Sequence, residues 1–325
     1  MASAPSIPFL RRFELPACIT LASIATLGAL RYECIQTELD RFERIDKATV
    51  TPEKLGQHFL TGEGWREKIL AAMRPAADGV WLEIGAGHGE MTGWLARRVR
   101  RLVAVEMDAS LAPRLREVAA RLPNVEVVSG NVLALDLPAI VHAASEDADR
   151  FYVYGNLPYY ITSPILHRLF ESASRIKAIH VVIQLEVAER LTAQPGSRAY
   201  GYLSVLAQYY SQPAIRLRIP PGAFQPPPKV FSALVSLPLP GAGAELGIKD
   251  EAVFFEFVKL CFAQKRKTIW NNLRASLKEA AAKHILEAAG IDPHVRAERL
   301  TLAQFAALFR ERTDYFGPPG GASRA

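Results

Sequence analysis

The chain has 325 residues, 50% of them hydrophobic and 22% charged, which is a globular composition that excludes disordered and collagen-like classes and suits one large domain with or without a smaller companion. Lys and Arg number 39 against 33 Asp and Glu, a net charge of +6 that permits an anionic partner such as RNA and equally suits an ordinary basic protein. The three cysteines, Cys18, Cys34 and Cys261, show no C-x-x-C spacing and no histidine at ligand spacing, so neither a disulfide framework nor a metal site is expected and a reducing compartment is.

From the amino terminus, Leu15 to Leu30 is an uncharged run of 16 residues behind Arg11 and Arg12, in the charge-then-apolar order of a signal peptide or short anchor. It falls short of the ~20 residues that span a bilayer and contains Pro16. No stable membrane association and a cytoplasmic location are therefore expected. Residues 1–50 carry six acidic residues, which mitochondrial presequences avoid. They read as an extension, either disordered or belonging to a mis-assigned start. The methionines are Met1, Met73, Met91 and Met107, so Val50 is the alternative initiation point.

From Thr51 the pattern is organised. Val80 to Ile84, Leu102 to Val105, Val125 to Val128, Phe151 to Tyr154 and Ile179 to Ile183 are short apolar runs that predict buried parallel strands. Segments of helical periodicity, such as Met91 to Val99 and Leu111 to Leu122, separate them, and the alternation predicts a doubly wound α/β domain over residues 51–240. Ile215 to Ile219 and Val230 to Leu237 predict an antiparallel finish to that sheet. Pro238 to Gly247, rich in Pro, Gly and Ala, reads as a linker. Residues 248–315 lack strand-like runs and predict a small, all-helical second domain, followed by a frayed tail over 316–325.

Glu83-Ile84-Gly85-Ala86-Gly87-His88-Gly89 places glycines at a strand-to-helix turn, where the backbone can take positive φ and a ligand can approach the main chain. Glu106 follows Gly85 by 21 residues at the end of the next strand, where an acid accepts both hydroxyls of a ribose. The spacing Gly-x-Gly-x-Gly is shorter than that of dinucleotide folds and is similar to that of S-adenosylmethionine methyltransferases, whose ligand has no phosphate. His88 has no partner in view along the chain and reads as an exposed side chain.

After the fourth strand comes Asn156-Leu157-Pro158-Tyr159-Tyr160, at the carboxyl edge of the sheet beside the ligand crevice. The Asn156 side-chain oxygen and the Leu157 carbonyl can each accept one N–H of an adenine amine, Pro158 kinks the turn, and Tyr159 can stack on the ring. Two acceptors draw the amine hydrogens out of conjugation and turn the nitrogen lone pair toward a methyl donor. No base with a tuned pKa is then required, because the cationic product loses its proton to water. Capture of a base in this way implies a single-stranded or flipped nucleotide. Further on, Lys265, Arg266, Lys267, Arg274 and Lys278 are five cations in 14 residues without an acid, with Ile269, Leu273 and Leu277 at helical spacing. They form a candidate phosphate-contacting face; a solvated helix face is the competing reading.

These motifs, with Leu55-Gly56-Gln57-His58-Phe59-Leu60, Val105-Glu106-Met107-Asp108, Gly130-Asn131-Val132-Leu133, Ala223-Phe224-Gln225-Pro226-Pro227-Pro228-Lys229-Val230-Phe231-Ser232 and Gln264-Lys265-Arg266-Lys267-Thr268, occur in an order that resembles the ribosomal RNA adenine N6,N6-dimethyltransferases. The likeness runs from about Lys54 to about Phe309. It implies a Rossmann-like class I methyltransferase sheet with a helical RNA-binding domain, and S-adenosylmethionine as cofactor. It also implies dimethylation of two adjacent adenosines in 16S rRNA, on an immature small subunit, by a monomer without metal. Gln57, His58 and Leu60 are implied to line the cofactor site, Gly85 and Gly87 to lie under its methionine part, Glu106 to hold the ribose and Asn131 to meet the adenine amine. Asn156, flanked by the cofactor, and Tyr159 are implied to hold the target base, with Leu157 and Pro158 shaping the turn and Phe224 closing over the base. His58, Ala86 and Asn131 stand where the family favours asparagine, proline and aspartate. A macrolide-resistance enzyme acting on 23S rRNA and a non-catalytic RNA-binding assembly or transcription factor remain the alternatives.

Overall fold

The computed structural model describes residues 57–313, which belong to one compact unit, Thr51–Tyr315. The extension over 1–50 with its run Leu15–Leu30, Lys54 where the likeness begins, Leu55 and Gly56 of the first motif, and the tail over 316–325 lie outside the described residues.

A seven-stranded sheet forms the frame, built from β2 (Val80–Ile84), β3 (Arg101–Glu106), β4 (Val125–Ser129), β5 (Phe151–Asn156), β6 (Ile176–Gln184), β7 (Ala214–Ile219) and β9 (Ser232–Pro238). Its order is β4-β3-β2-β5-β6-β9-β7. The first five strands are parallel, with Leu82 opposite Val103 on one side and Val153 on the other. β9 enters antiparallel between β6 and β7, pairing His180 with Ser236. Every residue of β2 is buried, so its Val-Trp-Leu-Glu-Ile run has helices to cover both faces, as a central parallel strand requires. The expected α/β class and antiparallel finish are both observed.

The covering helices include α1 (Glu63–Met73), α2 (Thr92–Ala96), α3 (Ala112–Ala119), α4 (Leu137–Ala144), α5 (Thr162–Glu171), α6 (Leu185–Leu191) and α7 (Tyr202–Tyr210). Asp136 caps α4 by accepting the Ala139 N–H at 3.1 Å, and Pro138 in the first turn forfeits no helical hydrogen bond. Outside the main sheet, β1 (Phe59–Leu60) pairs antiparallel with β8 (Phe224–Gln225), and the Thr61 N–H donates to the Ala223 carbonyl at 2.8 Å. This two-strand clasp joins the segment entering the fold to the one that precedes β9.

Beyond β9 the chain is helical: α8 (Glu251–Cys261), α9 (Ile269–Arg274), α10 (Glu279–Ala288) and α11 (Leu302–Thr313). Phe254, Phe257, Ile269, Leu273, Ile285 and Phe305 fill its interior. The stretch Pro238–Gly247 is not a loose tether. A short 3-10 turn covers Ala242–Glu245, and a Cβ on Gly241 would lie 2.3 Å from the Ser211 nitrogen, so the backbone of this stretch lies flat against the end of α7. The composition that suggested a linker serves close packing instead. No helix among the described residues is long and apolar enough to cross a membrane.

Candidate active site

A cleft of about 710 Å³, counted out to open solvent, lies at the carboxyl edge of the parallel strands. Four strand ends and the entering segment supply its walls. β2 contributes Gly85 and Gly87, β3 Glu106 and Met107, β5 Asn156 with Pro158, and the entering segment Gln57, His58 and Phe59; Asn131 follows β4. Eight of the sequence-predicted residues, Gln57, His58, Gly85, Gly87, Glu106, Asn131, Asn156 and Pro158, thus meet around one space.

Gly87 takes φ 60°, and a Cβ there would sit 3.1 Å from both the Phe59 ring and the Glu90 carboxylate. Only glycine permits that turn with Phe59 laid over it. Its N–H donates to Glu106 Oε2 at 2.8 Å, and the Asp108 N–H donates to Oε1 at 2.8 Å. Each Glu106 oxygen keeps a lone pair for a hydroxyl ligand. Burial pushes the Glu106 carboxyl above its ordinary pKa, and the N–H donors of Asp108, Gly87 and Met107 pull against that rise. Beneath the loop, Glu83 is 2% exposed, accepts the Thr92 hydroxyl at 2.7 Å, and is pushed by burial to a pKa of about 8, with Glu90 and Glu106 adding to the rise.

The Asn156 side-chain N–H donates to the His58 carbonyl at 2.8 Å, which commits the nitrogen and leaves Oδ1 as an acceptor. His58 Nδ1 in turn lies 2.7 Å from the Pro226 carbonyl. The turn after Asn156 is pinned on both sides: the Leu157 N–H donates to the Val182 carbonyl at 3.0 Å, and the Pro158 carbonyl accepts the Ile161 N–H at 3.2 Å and the Thr162 hydroxyl at 3.1 Å. Tyr159 is half-buried, its ring 5.3 Å from that of His58, and its hydroxyl is 2.7 Å from the Ser232 hydroxyl. Asn131 Oδ1 already accepts the Leu133 N–H at 3.0 Å. It has one further lone pair to offer a ligand amine.

Three expectations need correction. Leu60 does not line the cleft: it is 4% exposed and packs in the core with Phe224. Phe224, 2% exposed in that same cluster, presents no face to a base, because its pairing with Leu60 in the clasp turns the ring inward. The five cations do not share one helix. Thr268 caps α9 by accepting the Asn271 N–H, so Lys265, Arg266 and Lys267 lie in the turn before it, Arg274 ends it, and Lys278 caps α10. All five are exposed while Ile269, Leu273 and Leu277 are buried, as the spacing implied. Lys265 donates to the Arg198 carbonyl at 2.6 Å, and Arg274 stacks over Trp270 at 5.9 Å.

His88 does have a partner, Glu90 Oε1 at 2.9 Å, and rests on the Phe59 ring at 4.6 Å. Phe59, Glu90, Met107, Tyr160 and Ser232 are the participants that reasoning from sequence missed. Phe59, Met107, Tyr160 and Ser232 stand inside motifs without a role assigned from sequence, Glu90 follows the glycine loop, and their part comes from folding motifs onto one another. No group of three or more His, Cys, Asp or Glu placed to hold a metal occurs among the described residues.

A family model for ribosomal RNA adenine dimethylase matches residues 51–314. The chain is 44% identical to the ribosomal RNA small subunit methyltransferase A of Acidobacterium capsulatum, over 80% of this chain and 91% of that one, and 40% identical to the protein of that name from Koribacter versatilis, over 79% and 93%. The solved structure of a dimethyladenosine transferase from Plasmodium falciparum superposes with a TM-score of 0.66 at 23% identity, over 78% of this chain and 97% of that one, and shares the fold. That of the 23S rRNA methyltransferase ErmE superposes at 0.60 with 26% identity, over 78% and 98%. A match over nearly all the described residues, joined to a cleft assembled from the same motifs, places the chain in the ribosomal RNA adenine dimethylase family.

Proposed function

We propose that the protein dimethylates N6 of two adjacent adenosines in small-subunit ribosomal RNA, with S-adenosylmethionine as methyl donor, as a cytoplasmic monomer acting on immature small subunits without a metal or stable membrane association. The observation that carries this reading is the orientation of Asn156, whose amide nitrogen is held by the His58 carbonyl so that Oδ1 is left to accept an N–H from a base in the cleft. The donor set suits the cofactor: Glu106 for the ribose, Asn131 for the adenine amine, the bare backbone at Gly85 and Gly87 for the methionine part, and the buried, unpartnered Gln57 Oε1 as a waiting acceptor. When bound, the sulfonium supplies an electrophilic methyl group.

The chain's own part is to position and to exclude. Asn156 Oδ1 and the Leu157 carbonyl accept the two amine hydrogens, which directs the nitrogen lone pair out of the ring plane. Pinning of the turn by Val182, Ile161 and Thr162 keeps those acceptors in place, so little reorganisation precedes reaction. Tyr159 supplies a ring face fixed through Ser232. After the first transfer one N–H remains and one acceptor suffices, so the same pair serves a second round. Residues 51–240 form the methyltransferase domain in this reading, and residues 248–315 add exposed cations for phosphate contact.

Relatives named for the small subunit are 44% and 40% identical, whereas the 23S enzyme is 26% identical, which favours the small subunit as substrate over the resistance-type alternative. The test is transfer of labelled methyl to small subunits lacking the modification, with nucleosides resolved by mass spectrometry. Dimethyladenosine is the expected product. Retained binding to the particle without label would shift the reading to a non-catalytic assembly factor.

A further inference from the structure

Four large apolar side chains stand exposed among the described residues: Met107 (49%), Tyr160 (42%), Val230 (45%) and Phe231 (51%). Apolar residues scattered singly over a surface require no explanation. These are not scattered. Met107 follows the last residue of β3, Tyr160 lies in the single 3-10 turn after β5, and Val230 and Phe231 run into β9, whose first residue Ser232 faces Gln184 at the end of β6. All four therefore occupy the carboxyl edge of the parallel strands. Met107 and Tyr160 line the cleft itself, and Ser232, next to Phe231, is joined to Tyr159 by the 2.7 Å contact between their hydroxyls.

We propose that Phe231, with Tyr160 on the same rim, is a stacking platform for the nucleobase adjacent to the one held in the cleft. The inference rests on the RNA substrate proposed above and adds a base-binding subsite to it. Lifting one base out of a strand strips its neighbour of a stacking partner, and an aromatic face restores that contact whatever the neighbour's identity. A substrate with two adjacent target adenosines presents such a neighbour in each round, on the 3′ side in one and on the 5′ side in the other. The chemistry of the rim favours a nucleobase over a peptide. Pro226, Pro227 and Pro228 offer no N–H to an added strand, and Lys229, exposed directly before Val230, supplies a cation for the accompanying phosphate.

The test uses the full chain and a short RNA carrying the two adenosines, with 2-aminopurine replacing the one that is not reacting. Stacking quenches 2-aminopurine fluorescence. The wild-type protein and Phe231→Tyr should quench it, whereas Phe231→Ala should not, and its KM for RNA should rise about ten- to a hundredfold with S-adenosylmethionine affinity unchanged. Equal quenching by Phe231→Ala, or an unchanged KM, would overturn the platform. If the wild-type protein transfers no methyl to small subunits, the substrate reading itself falls. Transfer by wild type with a silent Phe231→Ala removes the platform alone.

Discussion

The side chain of Asn156 reaches across the cleft to the main chain of His58, donating to its carbonyl at 2.8 Å, and His58 is itself held to the Pro226 carbonyl at 2.7 Å through Nδ1. Strand end, entering segment and the segment before β9 are thereby linked through two consecutive contacts. The linkage sets which way the Asn156 amide faces.

Asn156→Ala should therefore sharply slow methyl transfer while cofactor affinity stays within about threefold, since the acceptor removed serves the target amine. A fall in kcat of about two to three orders of magnitude is expected, comparable to deleting one preorganised hydrogen-bond partner of a transition state. Asn156→Asp should fare no better, because a carboxylate cannot donate to the His58 carbonyl. Single-turnover transfer measured beside calorimetric cofactor binding separates the two effects, and equal loss of both would refute the assignment.

Asn131→Asp should tighten cofactor binding by roughly three- to tenfold. The single Asn131 oxygen has to serve both the Leu133 N–H at 3.0 Å and the ligand amine, whereas a carboxylate could satisfy that donor with one oxygen and accept the ligand amine with the other, charge-assisted. Titration calorimetry with S-adenosylhomocysteine reads this directly, and weaker binding would contradict it.

Glu83 predicts how stability follows pH. Burial holds its folded-state pKa at about 8 against an ordinary 4.5. Between those values the folded chain keeps a proton that the unfolded chain releases, so its contribution is complete below pH 4.5, declines as pH rises, and is lost above 8. Glu83→Gln should flatten that decline, leaving the variant more stable than wild type at pH 9 by something on the order of a few kcal/mol. Urea melts at pH 5, 7 and 9 test it; parallel pH profiles for the two proteins would rule it out.

Affinity for small subunits should fall steeply with salt, and Lys267→Ala, Arg274→Ala and Lys278→Ala should each reduce the slope of log K against log salt by about 0.7 to 0.9. Lys265→Ala should do less, since its ammonium is already engaged by the Arg198 carbonyl. Filter binding between 50 and 300 mM salt, an assay range on the order of that used for such slopes, distinguishes the four. Unchanged slopes would return these cations to the status of a solvated surface.

Much of the frame was legible because its signals are local. The run Val80–Ile84 coincides with β2, and the glycine turn, Glu106 and Asn156 fall at strand ends where a parallel sheet must place them. What stayed hidden depends on partners distant in the chain. Phe59–Leu60 and Phe224–Gln225 are two-residue strands with no periodicity to read, and only their pairing shows that Leu60 and Phe224 face inward. The Pro-Gly-Ala stretch after β9 has the composition of a tether, and nothing in it alone reveals that Tyr209 and Ser211 lie against its glycines. The five cations read as one helix because Ile269, Leu273 and Leu277 keep helical spacing across a break at Ala275 to Lys278.

The clasp between β1 and β8 joins residues as far apart as His58 and Pro226, 168 positions along the chain. During translation the glycine loop, the end of β3 and Asn156 emerge before β8 exists, so the wall formed by residues 57–59 can meet Gly87 and Asn156 first and gains Pro226 and β8 only afterwards. A nascent chain therefore passes through a stage in which the entering segment is held on one side only. The clasp thus closes late, and β9 with the helices beyond it still has to follow.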